Sequence, residues 1–329
     1  MKKYNLYNLL DCFKGWMLSL FGCLLVAYFL ASCESKPQNT AIQLDGSYII
    51  VLGTAQDAGF PHINNPDEFN DLENGKIKRE PVVSLGLVDA NEKKKWLIEA
   101  TPDMPEQLNS LESQQPSSDK FIDGVFLTHA HIGHYTGLMY FGREAMGANR
   151  IPVYAMPRMK DYLEENGPWS QLISLENIQL RELIADSTIQ VSNELKITPF
   201  LVPHRDEFSE TVGYRIQGTN KSALFIPDIN KWELWERSIV EEVKKVDYAF
   251  LDATFFKEGE IPRPMSEVPH PFIVETVRLF ENQPEEVRNK IIFIHFNHSN
   301  PAILDHHRLK DSVLDLGFQF AKTGDKYPL

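Results

Sequence analysis

Cysteine is all but missing from this chain. Among 329 residues only Cys12, Cys23 and Cys33 are cysteines, so residues 34–329 have no thiol and form no disulfide. What holds that part together must be packing and, where ligands gather, metal. Positive charge is also scarce. The 33 Lys and Arg face 46 Asp and Glu, a formal net charge of −13. An acidic surface repels polyanions at long range, which argues against a nucleic-acid polymer as partner but leaves room for a small anion in a local metal pocket. There is no internal repeat and no low-complexity tract, and one apolar run, residues 16–30, stands apart. With 43% hydrophobic residues the remainder can bury a large core, as one long α/β domain or as two small ones.

The first forty residues read as an export signal. Lys2, Lys3 and Lys14 precede or border the apolar run, and Leu30-Ala31-Ser32-Cys33 closes it. A charged start, a short apolar stretch and a small-residue end make a secretory leader, and the run is slightly short for a membrane span. The closing tetrad resembles a bacterial lipobox. That resemblance implies a signal peptide over residues 1–32, a lipidated Cys33, a polar tether over 33–46 and a folded domain over 47–329. The implied location is outside the cytoplasm, lipid-anchored to a bacterial membrane on its periplasmic or cell-surface side. Loss of the leader removes a net charge of +2 and leaves the mature chain near −15.

Stretches rich in β-branched and apolar residues predict strands over 47–53, 82–88, 96–99, 124–128, 151–155, 178–183, 196–202, 212–217, 223–226, 248–252 and 291–295. Helices are expected over 135–146, 159–165, 231–245, 272–280 and 305–316. Residues 54–80 form a long polar loop, and loops of that length are usually functional or disordered. Strands first, then helix and strand in alternation, suggest two sheets with helices outside.

The chemistry-bearing residues cluster at strand ends. His129, His131 and His134 follow the 124–128 strand at spacings of two and three. Two imidazoles just beyond a strand can meet one ion, and neutral imidazole is the commonest ligand for zinc and iron. His204, Asp228 and His295 each follow a further apolar strand. Each alone would suit a surface turn or a helix cap. Together they supply enough ligands for two ions, with a carboxylate to bridge them.

The order His-x-His-x-x-His, then His204, Asp228 and His295, resembles the metallo-β-lactamase superfamily over most of the mature chain. The resemblance implies a four-layer αββα sandwich. It places one metal on His129, His131 and His204 and a second on His134 and His295, with Asp228 between them. The zinc β-lactamases often put cysteine at the bridging position; aspartate there resembles glyoxalase II, ribonuclease Z and phosphodiesterase branches, so antibiotic hydrolysis is not expected. Val51 through Pro61, Ile292 through Pro301, Leu251 through Phe255 and Pro269-His270-Pro271 are similar to pyrroloquinoline quinone biosynthesis protein B, ribonuclease Z and the cyclic phosphodiesterase of phosphonate breakdown.

One residue departs from the superfamily pattern. Gly133 stands where that motif has an aspartate ligand of the second metal. Either the second site is weak, or another acid fills it. Asp57, on the glycine-flanked loop after the first strand, is the candidate, with an Asx turn as its ordinary alternative. His62 on the same loop is weaker. Asp252 is expected to orient a ligand histidine or to pair with His270 for the leaving group, and His298 to face the substrate anion. His306 and His307 read as solvated helix-start residues.

The expected function is hydrolysis of a small ester, a phosphodiester by resemblance, through a metal-bound hydroxide. Zn2+ as one or two ions is expected, with Fe and Mn compatible, and the catalytic residues are Asp228, His270, His298 and Asp252. The expected partners are a small anionic substrate and the membrane. Two alternatives stand beside this: a cofactor-maturation redox role like that of pyrroloquinoline quinone biosynthesis protein B, and a non-catalytic metal-binding lipoprotein.

The lipobox generates a direct test. Cys33→Ala should abolish acylation and yield a precursor or soluble protein. A variant that still partitions into detergent at its mature size would refute lipid anchoring.

Overall fold

The computed structural model describes residues 46–116, 120–262 and 264–329. The expected leader, the lipobox and all but the last residue of the tether lie outside the described residues. Among the described residues no helix is long and apolar enough to cross a membrane.

Fourteen strands are described: β1 (Ser47–Gly53), β2 (Ser84–Asp89), β3 (Lys94–Ile98), β4 (Gly124–Phe126), β5 (Ile151–Ala155), β6 (Ile178–Glu182), β7 (Ile189–Gln190), β8 (Lys196–Leu201), β9 (Val212–Gln217), β10 (Ser222–Ile226), β11 (Tyr248–Asp252), β12 (Ile291–Ile294), β13 (Gln319–Phe320) and β14 (Lys326–Pro328). They form two seven-stranded sheets, in the orders β14-β1-β2-β3-β4-β5-β6 and β13-β12-β11-β10-β9-β8-β7. Each sheet begins antiparallel and ends parallel. In the first, β1 runs antiparallel to β2, and β2 to β3, while β3 to β6 are parallel. In the second, β8, β9 and β10 alternate and β10 to β13 are parallel. It follows that β1, β3 and β4 share one direction, as do β8, β10, β11 and β12.

Both faces of the sheets are covered. Along β1, Ile49 and Val51 point between the sheets, where they meet Phe126, Tyr214, Phe225, Phe250 and Ile292. Their neighbours Tyr48, Ile50 and Leu52 point the other way, onto the helices around Met104, Leu111 and Leu163. The second sheet repeats this, with Phe293 and Leu251 turned out towards Ile239, Ile273 and Phe280. Three apolar layers between two sheets and two sets of helices are the expected four-layer αββα sandwich, and burial on both faces is why these strands read as unbroken apolar runs.

Several elements differ from the sequence expectation. The helix expected over 135–146 is a short helix, Ile132–Tyr135, followed by a 3-10 turn, Thr136–Phe141. The amide of Gly137 donates to Ala100 O and the amide of Ala100 to His134 O, so tertiary bonds replace helical ones. A Cβ on Gly137 would sit 2.1 Å from Thr101 O, so only glycine allows this close approach. The helix expected over 231–245 is split into Trp232–Leu234 and Ile239–Lys244, because Trp235 Nε1 donates to Leu201 O and Ser238 caps a new start. The long loop holds a helix, Pro66–Glu73, capped by Asn65, with no buried residue to announce it.

The packing between the sheets predicts a large cost for opening it. Phe225 is fully buried there. Phe225→Ala should destabilise the fold by about 3–5 kcal/mol, read as a lowered denaturation midpoint. A loss below about 1 kcal/mol would mean that this layer is not close-packed.

Candidate metal centre

Every candidate ligand follows the C-terminal end of a strand, and the shared strand directions bring these ends to one edge of the sandwich. Open α/β sheets place ligands at that edge. His129, His131 and His134 follow β4, His204 follows β8, Asp228 follows β10, Asp252 ends β11, His295 follows β12 and Asp57 lies four residues past β1. Two non-glycine residues here, Glu99 after β3 and His295, hold left-handed φ values of 78° and 70°. Such conformations cost about 1–3 kcal/mol and persist where the surroundings impose them.

His129, His131 and His204 form the first group. His129 Nε2 lies 2.8 Å from His131 Nδ1. Burial pushes His129 well below the usual imidazole range, lowers His131 and takes His204 to about 4, so all three are neutral near pH 7.

Asp57, His134 and His295 form a second group, with Asp228 joining the two. Asp228 Oδ2 is 3.0 Å from His134 Nε2, 3.3 Å from His295 Nε2 and 3.7 Å from His129 Nε2. Its Oδ1 is 3.5 Å from His204 Nε2 and 3.4 Å from His270 Nδ1. Burial alone would raise the Asp228 carboxyl, but the surrounding imidazoles hold it well below the usual range. His134 moves the other way: burial disfavours its charge, and Glu99, Asp228 and Asp57 outweigh burial and raise it.

Outer contacts set the tautomers. Thr128 Oγ1 donates to Glu99 Oε1 at 2.5 Å, so its single proton is committed and His129 Nδ1 must donate to it at 2.8 Å. His129 Nε2 then carries a lone pair. In the other sheet Thr254 Oγ1 donates to Asp252 Oδ1 at 2.7 Å, and His295 Nδ1 donates to Thr254 at 2.8 Å, which leaves His295 Nε2 as a lone pair. Glu99 also lies 3.3 Å from His134 Nδ1, a charge contact out of line for a hydrogen bond. Asp252 Oδ2 accepts from His270 Nδ1 at 2.8 Å and from the amide of Ile229 at 3.1 Å. Ligand imidazoles tied down this way present the metal-binding nitrogen in a fixed direction.

The structure brings together His129, His131, His134, His204, Asp228, Asp252, His270, His295 and Asp57. It sets His298 in a different pair. That ring donates through Nδ1 to Glu68 Oε1 at 2.7 Å and stacks on His62 at 4.2 Å. His62 Nδ1 in turn faces Ile63 O. His307 caps the Arg308–Leu314 helix. Sequence reasoning missed Glu99, Thr128 and Thr254. The one available signal was a polar residue interrupting or ending an apolar strand beside a candidate ligand.

The donor set fits a metal ion. His129 Nε2 carries a lone pair 2.8 Å from His131 Nδ1, so the two rings converge on one point from which both can face an ion. His295 Nε2 and both nitrogens of His204 are buried without a hydrogen-bond partner among the described residues. Nitrogen and carboxylate donors with no thiolate suit zinc, iron or manganese.

Two stacked sheets that aim histidines and carboxylates from their strand ends at one buried point define a metal-binding αββα sandwich. The chain belongs to the beta-lactamase superfamily domain family, whose profile matches residues 94–296. It is 22% identical over 306 residues to coenzyme PQQ synthesis protein B of Methylobacterium sp. (strain 4-46), a match covering 84% of this chain and 97% of that protein. Among solved structures it is similar to Zn(2+)-bound PqqB from Methylobacterium extorquens, with a TM-score of 0.73, 18% identity and coverage of 86% of this chain and 100% of the other. A diphosphatase from the PhnP family is similar with a TM-score of 0.58 and 22% identity, over 85% and 96% of the two chains.

The threonine relay is testable without substrate. Thr254→Val keeps the shape but removes the acceptor for His295 Nδ1. Metal affinity should fall by about 10–100-fold, measured by competition with a chromophoric chelator. Unchanged affinity would show that Thr254 does not orient the ligand.

Proposed function

We propose that the protein is a metal-dependent hydrolase, exported and lipid-anchored through Cys33, that cleaves a small phosphodiester. The observation that carries the hydrolase reading is the placement of Asp228, one buried carboxylate within 3.7 Å of His129, His134, His204, His270 and His295. A carboxylate at the meeting point of two ligand groups can bind metal and hold the attacking water by its remaining lone pairs. His129, His131 and His204 would hold the zinc, which when bound would supply Lewis acidity and lower the pKa of a water to about 7. Iron and manganese suit the same donors.

The remaining chemistry falls to His270. Its Nδ1 is held by Asp252 and its position is fixed by burial. Burial disfavours its charge, but Asp252 and Asp228 outweigh that and raise its pKa, so a proton on the imidazole is available to the leaving oxygen. Nε2 is the atom left for that transfer. The phosphodiester class rests on local charge: His270, raised by Asp252 and Asp228, together with the bound cation would offset the acidic surface where an anion must bind. The fold neighbour named as a diphosphatase is in keeping with that class.

A second reading is a cofactor-maturation role like that of coenzyme PQQ synthesis protein B. It is favoured by the end-to-end length match with that relative. The two readings separate in one experiment. Protein with measured metal content is offered a panel of small phosphodiesters and carboxylic esters. His131→Ala should lose most bound metal and slow turnover by more than about 100-fold, roughly 2.7 kcal/mol. A wild-type protein that is fully metal-loaded yet turns over no ester would overturn the hydrolase reading.

A further inference from the structure

We infer that Asp57 is a direct ligand of an ion held by His134 and His295, and that residue 133 is glycine because Asp57 occupies the space its side chain would fill. This deepens the metallohydrolase reading and rests on it. Asp57 Oδ1 is 3.0 Å from His134 Nε2 and 3.9 Å from His295 Nε2. A Cβ built on Gly133 would lie 2.5 Å from Asp57 Oδ1, 2.6 Å from its Cα and 2.8 Å from its Cβ. The clash includes backbone, so a rotamer change on Asp57 cannot relieve it. Residue 133 lies in the helix Ile132–Tyr135 and needs no left-handed φ, so conformational freedom does not account for the glycine.

A second observation points to a ligand at this place. His295 Nε2 is buried and without a hydrogen-bond partner among the described residues, and its Nδ1 is spent on Thr254. The free nitrogen is directed to where Asp57, Asp228 and His134 converge. Asp57 is held there by backbone rather than by chance. The amide of Phe296 donates to Thr54 O, and the amide of Gln56 donates to Phe296 O, both at 2.8 Å. Gln56 also accepts from the side chain of Asn297. The loop after β1 is thus fastened to the residues that follow His295, and the carboxylate and the imidazole arrive as one unit. The loop supplies from 77 residues away an oxygen that residue 133 would otherwise supply from the same turn as His134.

The test changes each position in turn and reads metal alone. The full-length chain is stripped by chelation and titrated with Zn2+, with stoichiometry and affinities measured by chelator competition and elemental analysis. Wild type should bind two ions. Asp57→Asn, nearly the same shape, should weaken one of them by at least about ten-fold and leave the other unchanged. Gly133→Asp alone should lower thermal stability and add no affinity. An Asp57→Asn variant that keeps both affinities overturns the inference, as does a Gly133→Asp variant with wild-type stability or raised affinity. A wild type that binds a single ion, unaffected by Asp57→Asn, overturns it while leaving the hydrolase reading intact. A wild type that binds no ion overturns both.

Discussion

The structure is organised around the cost of burying imidazoles and carboxylates together. His129, His134, His204, His270 and His295 are nearly without solvent contact, as are Asp228, Asp252 and Glu99. Each would be costly alone. The fold meets this by sorting atoms. Those facing outward, His129 Nδ1, His295 Nδ1 and His270 Nδ1, are tied to threonine or carboxylate. Those facing inward are left as bare donors, and opposite charges from the two sheets balance around Asp228. The local strain at Glu99 and His295 and the close approach at Gly137 are all spent on reaching that arrangement.

Both sheets arrive at it by the same device. Beneath the first group a strand-end threonine, Thr128, links His129 to the buried acid Glu99. Beneath the second, Thr254 links His295 to the buried acid Asp252. The sheets also share their order of antiparallel then parallel strands. Half of the centre is therefore built like the other half, and the differences lie in what each adds: a three-histidine turn on one side, the Asp252–His270 pair on the other.

The strands and the histidine turn were legible because their signals are local. An apolar run announces a strand buried on both faces, and three histidines within six residues announce ligands. The same burial hides which sheet face a residue takes, since Ile49 and Ile50 are equally apolar and go to different layers. The helix Met104–Gln114 was unreadable because it buries Gln107, whose amide donates to Val82 O, and offers no clean apolar stripe. The two-residue strands β7 and β13 exist only by pairing with partners distant in the chain or set by the loop. Glu99 and Thr128 carried only the weak signal of a polar residue at a strand end, because a buried acid that orients a ligand looks in sequence like an ordinary one. Asp57 was reachable only through the oddity of Gly133.

The backbone stitch between Thr54, Gln56 and Phe296 has a mechanical side. It riveted the first sheet to the second at the rim of the cleft, so the sheets cannot part there like the jaws of a clamp.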